Sequence, residues 1–186
     1  MKDILTNLEQ NFAVSNIEKK RDDLYFINVE KKQIISVLTY LKDYVEFTHL
    51  AFLQAVDRIE ENQFQLTYML YSFQHKTNFA VRVLIKRDNA EMISIHKLWK
   101  HAWQYQRELK EMFGINFPDS PRVDESFVLE GWEEMPPMRR DFDTLEYSTK
   151  TFYQRPGRST NDPKKYMEKK LYKDFAKSPV IARKDG

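Results

Sequence analysis

Apolar and polar positions alternate with period two in two stretches of the chain. In the first, Phe64, Leu66, Tyr68 and Leu70 alternate with Gln65, Thr67, Met69 and Tyr71. In the second, Phe79, Val81, Val83 and Ile85 alternate with Ala80, Arg82, Leu84 and Lys86. Successive side chains on a strand point to opposite faces, so each stretch predicts a strand with one face toward a core. Residues 47–56 are mostly apolar and predict a third strand. Glu60-Glu61-Asn62 and residues 75–78 are polar enough to join the three as hairpins. Earlier, residues 12–17 and 24–29 are rich in β-forming side chains and flank the polar run 19–23, which reads as another hairpin.

Elsewhere the period is helical. Within residues 31–45, Ile34, Val37, Leu38, Leu41, Tyr44 and Val45 recur at helical spacing. A short helix is expected over 3–11, with Ile4, Leu5 and Leu8 on one side. Ser94 is placed to cap a helix running to about Phe113, with Leu98, Ala102, Tyr105, Leu109 and Met112 on one face. Gly114 accepts the left-handed conformation that ends such a helix. On it, Arg107 and Glu111 fall on the opposite face and Glu108 on the flank. Helix, two strands, helix, three strands, helix predicts a two-layer α+β domain over residues 1–117.

After residue 117 the regular pattern fades. Pro118, Pro121, Pro136, Pro137 and Pro156 argue for an extended, irregular path. Yet the stretch contains Phe127, Val128, Leu129, Trp132, Met135, Met138 and Phe142, more apolar surface than a solvated linker needs. Residues 118–154 therefore read as a docking strap, lying on this domain or on a partner. Arg139, Arg140, Asp141 and Phe142 follow two prolines, and guanidinium groups on a stiff segment suit carboxylates of the chain itself or of a partner. Residues 155–186 form a basic tail, in which 162–177 has the pattern of a marginal helix.

Composition narrows the chemistry. With 186 residues, the chain suits one domain with an extension. Cysteine is absent, which excludes disulfides, thiolate-bound zinc or iron–sulfur clusters and a cysteine nucleophile. There are 4 glycines and no glycine-rich phosphate loop. The amino terminus has no signal-peptide pattern, and no apolar run approaches the ~20 residues that span a bilayer. The net charge of +2 is uneven: the tail carries +6 and residues 1–154 carry −4. Lysines interleaved with Tyr166, Tyr172 and Phe175 leave nucleic-acid binding by the tail as one reading, against a solvated or subunit-docking tail. His96 and His101, five apart, do not share a helical face as a zinc pair needs. Glu108 and Glu111 are helical neighbours, but Arg107 and Lys110 lie among them and no nucleophile or substrate cradle is near, which favours a charged helix face over acid–base catalysis.

Several of these residues together resemble a known pattern. Gln106-Arg107-Glu108, Glu111, Met112-Phe113 and Gly114-Ile115-Asn116-Phe117 are similar to the hallmark of the 30 kDa (C-type) subunit family of respiratory complex I, which includes homologous subunits of membrane-bound hydrogenases and formate hydrogenlyases. Residues 53–57, LQAVD, and Trp132 through Pro136-Pro137-Met138-Arg139-Arg140-Asp141-Phe142 also resemble its pattern, so that the likeness covers about residues 25–143. There are three departures, one of them a stretch from Trp132 to the arginines that is one residue longer than the family's. The family's first glutamate is Gln106, and its Gly-His-Pro-Asp-Leu-Arg-Arg aligns with residues 119–125, where Ser120 takes the place of histidine and Asp124-Glu125 that of the arginine pair.

The resemblance implies a non-catalytic structural subunit of the peripheral arm of an NADH–quinone oxidoreductase. In such a complex it supports assembly of the quinone-reducing module. It binds no cofactor itself, while iron–sulfur clusters and quinone belong to partner subunits. The implied partners are a hydrogenase-like large subunit and an iron–sulfur small subunit, on the cytoplasmic side of a bacterial inner membrane, with membrane association through those partners. Arg107, Glu108, Glu111, Trp132, Arg139, Arg140, Asp141 and Phe142 are the expected interface residues. The alternatives are the equivalent scaffold of a membrane-bound hydrogenase or formate hydrogenlyase, and a nucleic-acid-binding protein acting through its tail.

Overall fold

The alternating stretches build one five-stranded sheet in the computed structural model, which describes residues 2–152. Its strands are β1 (Val14–Arg21), β2 (Leu24–Val29), β3 (His49–Arg58), β4 (Gln63–Ser72) and β5 (Thr77–Lys86), in the order β1-β2-β5-β4-β3. Neighbours are antiparallel except β2 and β5, which run parallel with Ile27 opposite Val81. Helix α1 (Lys2–Asn11) precedes the sheet, α2 (Ile34–Asp43) links β2 to β3, and α3 (Ala102–Phe113) follows β5.

One face of the sheet is the core. Phe64, Leu66, Tyr68 and Leu70 of β4, with Phe79, Val81, Val83 and Ile85 of β5, pack in one cluster with Ile34, Val37, Leu38 and Leu41 of α2 and with Ala102, Leu109 and Phe113 of α3. The strand and α2 positions are those that the two periods select, whereas on α3 Phe113, expected at the flank, is buried in place of Met112. Truncating one of these large apolar side chains to alanine costs about 2–5 kcal/mol, because the site collapses only partly around the gap.

The hairpin turn is shorter than the polar run suggests. β1 continues through Lys19, Lys20 and Arg21 and turns only at Asp22-Asp23. β1 is an edge strand, where outward charges meet water and discourage pairing with other chains. Asn16, with φ 53°, lies at a bulge in the ladder.

The helix expected to start at Ser94 starts at Ala102 instead. Residues 94–101 form turns in which the Leu98 and Trp99 N–H groups both donate to Ile95 O. Tertiary hydrogen bonds explain the change. Trp99 Nε1 donates to Thr48 O at 2.7 Å, the His101 ring bonds Leu50 O at 3.0 Å, and the Tyr105 hydroxyl donates to Ala51 O at 2.9 Å. Three side chains thus satisfy main-chain carbonyls along the free edge at β3, and a continuous helix from Ser94 would have aimed them elsewhere. The buried stripe of α3 is Ala102, Gln106, Leu109 and Phe113, with Tyr105 and Met112 half-buried beside it.

Residues 118–142 fold with the sheet and α3 as one compact unit, Met1–Phe142. A second unit begins at Asp143. There the extended path expected to residue 154 gives way to α4 (Thr144–Thr151), capped by the Asp143 carboxylate, which accepts from the Leu145 and Glu146 N–H groups at 2.9 Å each. The expected helix over 162–177, the basic tail and the nucleic-acid reading that depends on it lie outside the described residues.

Candidate docking interface

α3 carries the charged motif, and its polar face receives the strap. Glu111 accepts three consecutive main-chain N–H groups, from Phe127 at 2.6 Å, Val128 at 2.8 Å and Leu129 at 3.0 Å. Successive amides curled around one carboxylate form an anion-binding nest. One turn earlier, Arg107 donates from Nε to Glu125 O at 3.2 Å and from Nη2 to Ser126 O. The two side chains therefore divide one short stretch of main chain by polarity, the cation taking carbonyls and the anion taking amides. Arg107 also lies 5.3 Å from the Trp103 ring centroid and 5.8 Å from that of Phe127. Lys110 pairs with Asp124, and Arg122 with Glu125.

A second contact closes the carboxyl end of α3. Its last carbonyls have no helical partner. Met138 N–H donates to Met112 O at 3.0 Å and Arg139 Nε to Phe113 O at 2.8 Å. Gly114, with φ +76°, donates to Lys110 O at 2.9 Å. A Cβ there would stand 3.0 Å from Arg139 Nη2 and 3.2 Å from Pro136 Cγ, so the glycine serves both the turn and the strap above it.

The third contact is ionic. Asp57, whose side chain is 1% exposed, receives Arg87 through Nε at 2.8 Å and Nη2 at 2.9 Å, and the Arg140 N–H at 3.0 Å. Arg87 reaches on to Asp141 at 2.6 Å, and Arg140 donates to both oxygens of Glu60 at 2.7 Å. Burial pushes the Asp57 carboxyl up, but the bonds from Arg87 and the Arg140 N–H, with the Arg87 charge, outweigh it and hold it below the usual carboxylate range. The Arg87 hydrogen bond likewise lowers Asp141, and that of Arg140 lowers Glu60.

The expected interface residues thus fall into groups. Arg107, Glu111, Arg139, Arg140 and Asp141 hold the strap to the body. Trp132 and Phe142 pair their rings at 5.6 Å, and Trp132 Nε1 donates to Met135 O. Glu108 forms no hydrogen bond or ion pair with the described residues and remains half-exposed on the flank.

Sequence reasoning missed three members of this arrangement as site residues. Asp57 and Arg87 are the ionic centre. The available signal was an acid closing the apolar run LQAVD, since a buried carboxylate must find a cation. Gln106 is the third: it is fully buried, and its Oε1 accepts from Ser94 Oγ at 2.8 Å and Ser120 Oγ at 2.6 Å. Gln106 and Ser120 are two of the departures from the resembled pattern, and the fold brings them into one hydrogen bond. A neutral amide and two hydroxyls meet there, where the resembled pattern has a glutamate and a histidine.

Residues 27–148 match the family described as respiratory-chain NADH dehydrogenase, 30 Kd subunit. The C subunit of the NADH-quinone oxidoreductase of Roseiflexus castenholzii is 31% identical over 118 residues, covering 62% of this chain and 67% of that protein. The C subunit of the F(420)H(2) dehydrogenase of Methanosarcina mazei is 26% identical over 115 residues, covering 62% and 73%. The C/D subunit of the NADH-quinone oxidoreductase of Hydrogenobaculum is 30% identical over 135 residues, 72% of this chain but 23% of that one. In the structure of the membrane-bound sulfane sulfur reductase, an archaeal respiratory membrane complex, one chain superposes with a TM-score of 0.79 at 23% identity, covering 87% of this chain and 96% of that one. At that identity the likeness is one of fold.

Proposed function

The chain belongs to the respiratory-chain NADH dehydrogenase 30 Kd subunit family and is a subunit of a complex I-like respiratory complex, and from that premise we propose that it is a non-catalytic scaffold of the peripheral arm. It positions the module that passes electrons from iron–sulfur clusters to quinone, with both cofactors held by partner subunits. The observation that carries this reading is the use made of Arg107 and Glu111. The charged pair on α3 binds main chain of the strap and fixes a surface, with Glu108 beside it open to a partner.

The proposed neighbours are a hydrogenase-like large subunit and an iron–sulfur small subunit. A relative whose name joins C and D in one polypeptide supports a D-type chain next to this one. No helix among the described residues is long and apolar enough to cross a membrane; the proposed attachment is through partners, on the cytoplasmic side of a bacterial inner membrane. A second reading keeps the scaffold and changes the enzyme, to a membrane-bound hydrogenase or a related complex. A relative named for F(420)H(2) dehydrogenase supports a C-type subunit in complexes other than NADH-quinone oxidoreductase.

Tagged chain purified from gently solubilised native membranes, with partners identified by mass spectrometry, tests both readings. Recovery of a large subunit lacking nickel-ligand cysteines, with quinone-site partners, is the expected result; intact nickel-ligand cysteines select the second reading. Arg139→Ala with Arg140→Ala should reduce recovery of partners while leaving the chain folded. Full assembly and normal activity of the complex containing that double variant would refute the scaffold's dependence on its strap.

A further inference from the structure

The sheet face away from α2 and α3 holds a cation that forms no ion pair with the described residues. Arg82 of β5 stands opposite Asn28 of β2 and Thr67 of β4. Its guanidinium lies 3.9 Å from the Phe26 ring centroid, with Nε buried and without an acceptor. The carboxylate of Glu18 feels the Arg82 charge, but its hydrogen bonds go to Lys20 at 2.7 Å and Asn16 at 2.9 Å. A half-buried guanidinium without a counter-ion carries a desolvation cost that stacking on one ring returns only in part.

Arg82 fronts a groove of about 340 Å³. Asn28 and Gln65 give it neutral hydrogen-bonding walls, and Lys31 and Arg58 stand at its margin. Arg58 is neutralised by Glu61 at 2.7 Å, whereas exposed Lys31 forms no ion pair among the described residues. Glu30 is the sole acid among the described residues that line the groove. Two cations that form no ion pair among the described residues, flanked by amide side chains, suit a carboxylate carried on a length of main chain, the cations taking its charge and the amides its peptide groups.

We infer that this groove is a second docking site, separate from the strap, that receives an acidic segment of a partner subunit with its Asp or Glu side chains on Arg82 and Lys31. The inference rests on the scaffold reading above, and it adds a partner contact on the opposite side of the domain from α3. In an assembled complex the segment would supply the ion-pair partner that Arg82 lacks among the described residues.

The test uses tagged full-length chain in its native membranes, with a photo-cross-linking amino acid in place of Leu84, which lines the groove and is 43% exposed. The expected product joins Leu84's position to a partner peptide bearing Asp or Glu. Its yield should fall about tenfold with Arg82→Gln or Lys31→Glu and persist with Arg82→Lys. Should Arg82→Gln lower the melting temperature, the exposed Lys31→Glu decides alone. Unchanged yields in the folded variants overturn the inference. So does a cross-linked peptide without acidic residues, or no cross-link from a chain that still co-purifies with membrane partners. Failure of the unsubstituted chain to co-purify with any membrane partner instead defeats the scaffold reading and takes this site with it.

Discussion

Gly114→Ala should loosen the strap through two separable terms. The first is conformational: at φ +76° an L-residue is strained by about 1–2 kcal/mol. The second is contact. The new Cβ would meet Arg139 Nη2 at 3.0 Å and Pro136 Cγ at 3.2 Å. The guanidinium can swing away, but then it forfeits its bond to Phe113 O, a charged hydrogen bond worth about 1.5–3 kcal/mol. The expected total is about 2–4 kcal/mol, after alanine's smaller loss of chain entropy offsets part of the strain. Urea unfolding followed by tryptophan fluorescence measures it, since Trp103 and Trp132 sit on the two sides of the contact. Gly131 is the internal control: its φ is +75° and nothing lies within 4 Å of the Cβ position, so Gly131→Ala should show the conformational term alone. In an Arg139→Ala background, Gly114→Ala should fall to about 1 kcal/mol, the difference being the coupling of a double-mutant cycle. Equal costs at the two glycines, or an undiminished cost without Arg139, would refute the packing of the strap over the end of α3.

Asp57→Asn should cost about 2–3 kcal/mol at neutral pH, because it weakens a buried bidentate pair with Arg87. The folded-state carboxyl lies below its ordinary value, so its contribution is present above the unfolded pKa of about 3.9 and disappears as pH falls through the lower folded value. The stability gap between wild type and Asp57→Asn should therefore close below about pH 4, and a gap constant from pH 7 to pH 3 in urea titrations would contradict the assignment. Tyr68→Phe should be neutral or stabilising by about 1 kcal/mol, since the buried hydroxyl has no hydrogen-bond partner among the described residues. A loss of more than about 1 kcal/mol in thermal or urea unfolding would mean that the hydroxyl is bonded.

The sheet was legible because its side chains obey one period over whole strands. Phe64–Leu70 and Phe79–Ile85 declare their core face without help from distant residues. The start of α3 was not, because Trp99, His101 and Tyr105 are placed by bonds to carbonyls more than fifty positions earlier, which local spacing does not encode. α4 hid behind its threonines and the prolines before it, and only the Asp143 cap and the Glu146–Lys150 pair four apart argue for it locally. At the interface, the sequence shows that Arg107, Glu111 and Arg139 are charged and exposed to choice, but not what they choose. Asp57 meets Arg140 from 83 positions away, and Gln106 meets Ser120 across the turn that ends α3. Such pairings exist only once the layers have packed.

The hydrogen bonds of Arg107 and Glu111 to residues 125–129 all fall on main-chain atoms. Any residue but proline offers those carbonyls and amides. Attachment and recognition are therefore largely separate in this segment: α3 fixes where it runs, while the side chain of Val128, 67% exposed, is left to meet whatever lies outside. The segment can exchange its outward chemistry to suit a different neighbour without renegotiating its hold on the domain. A proline at 127, 128 or 129, by deleting a donated N–H, is the replacement that the helix would register.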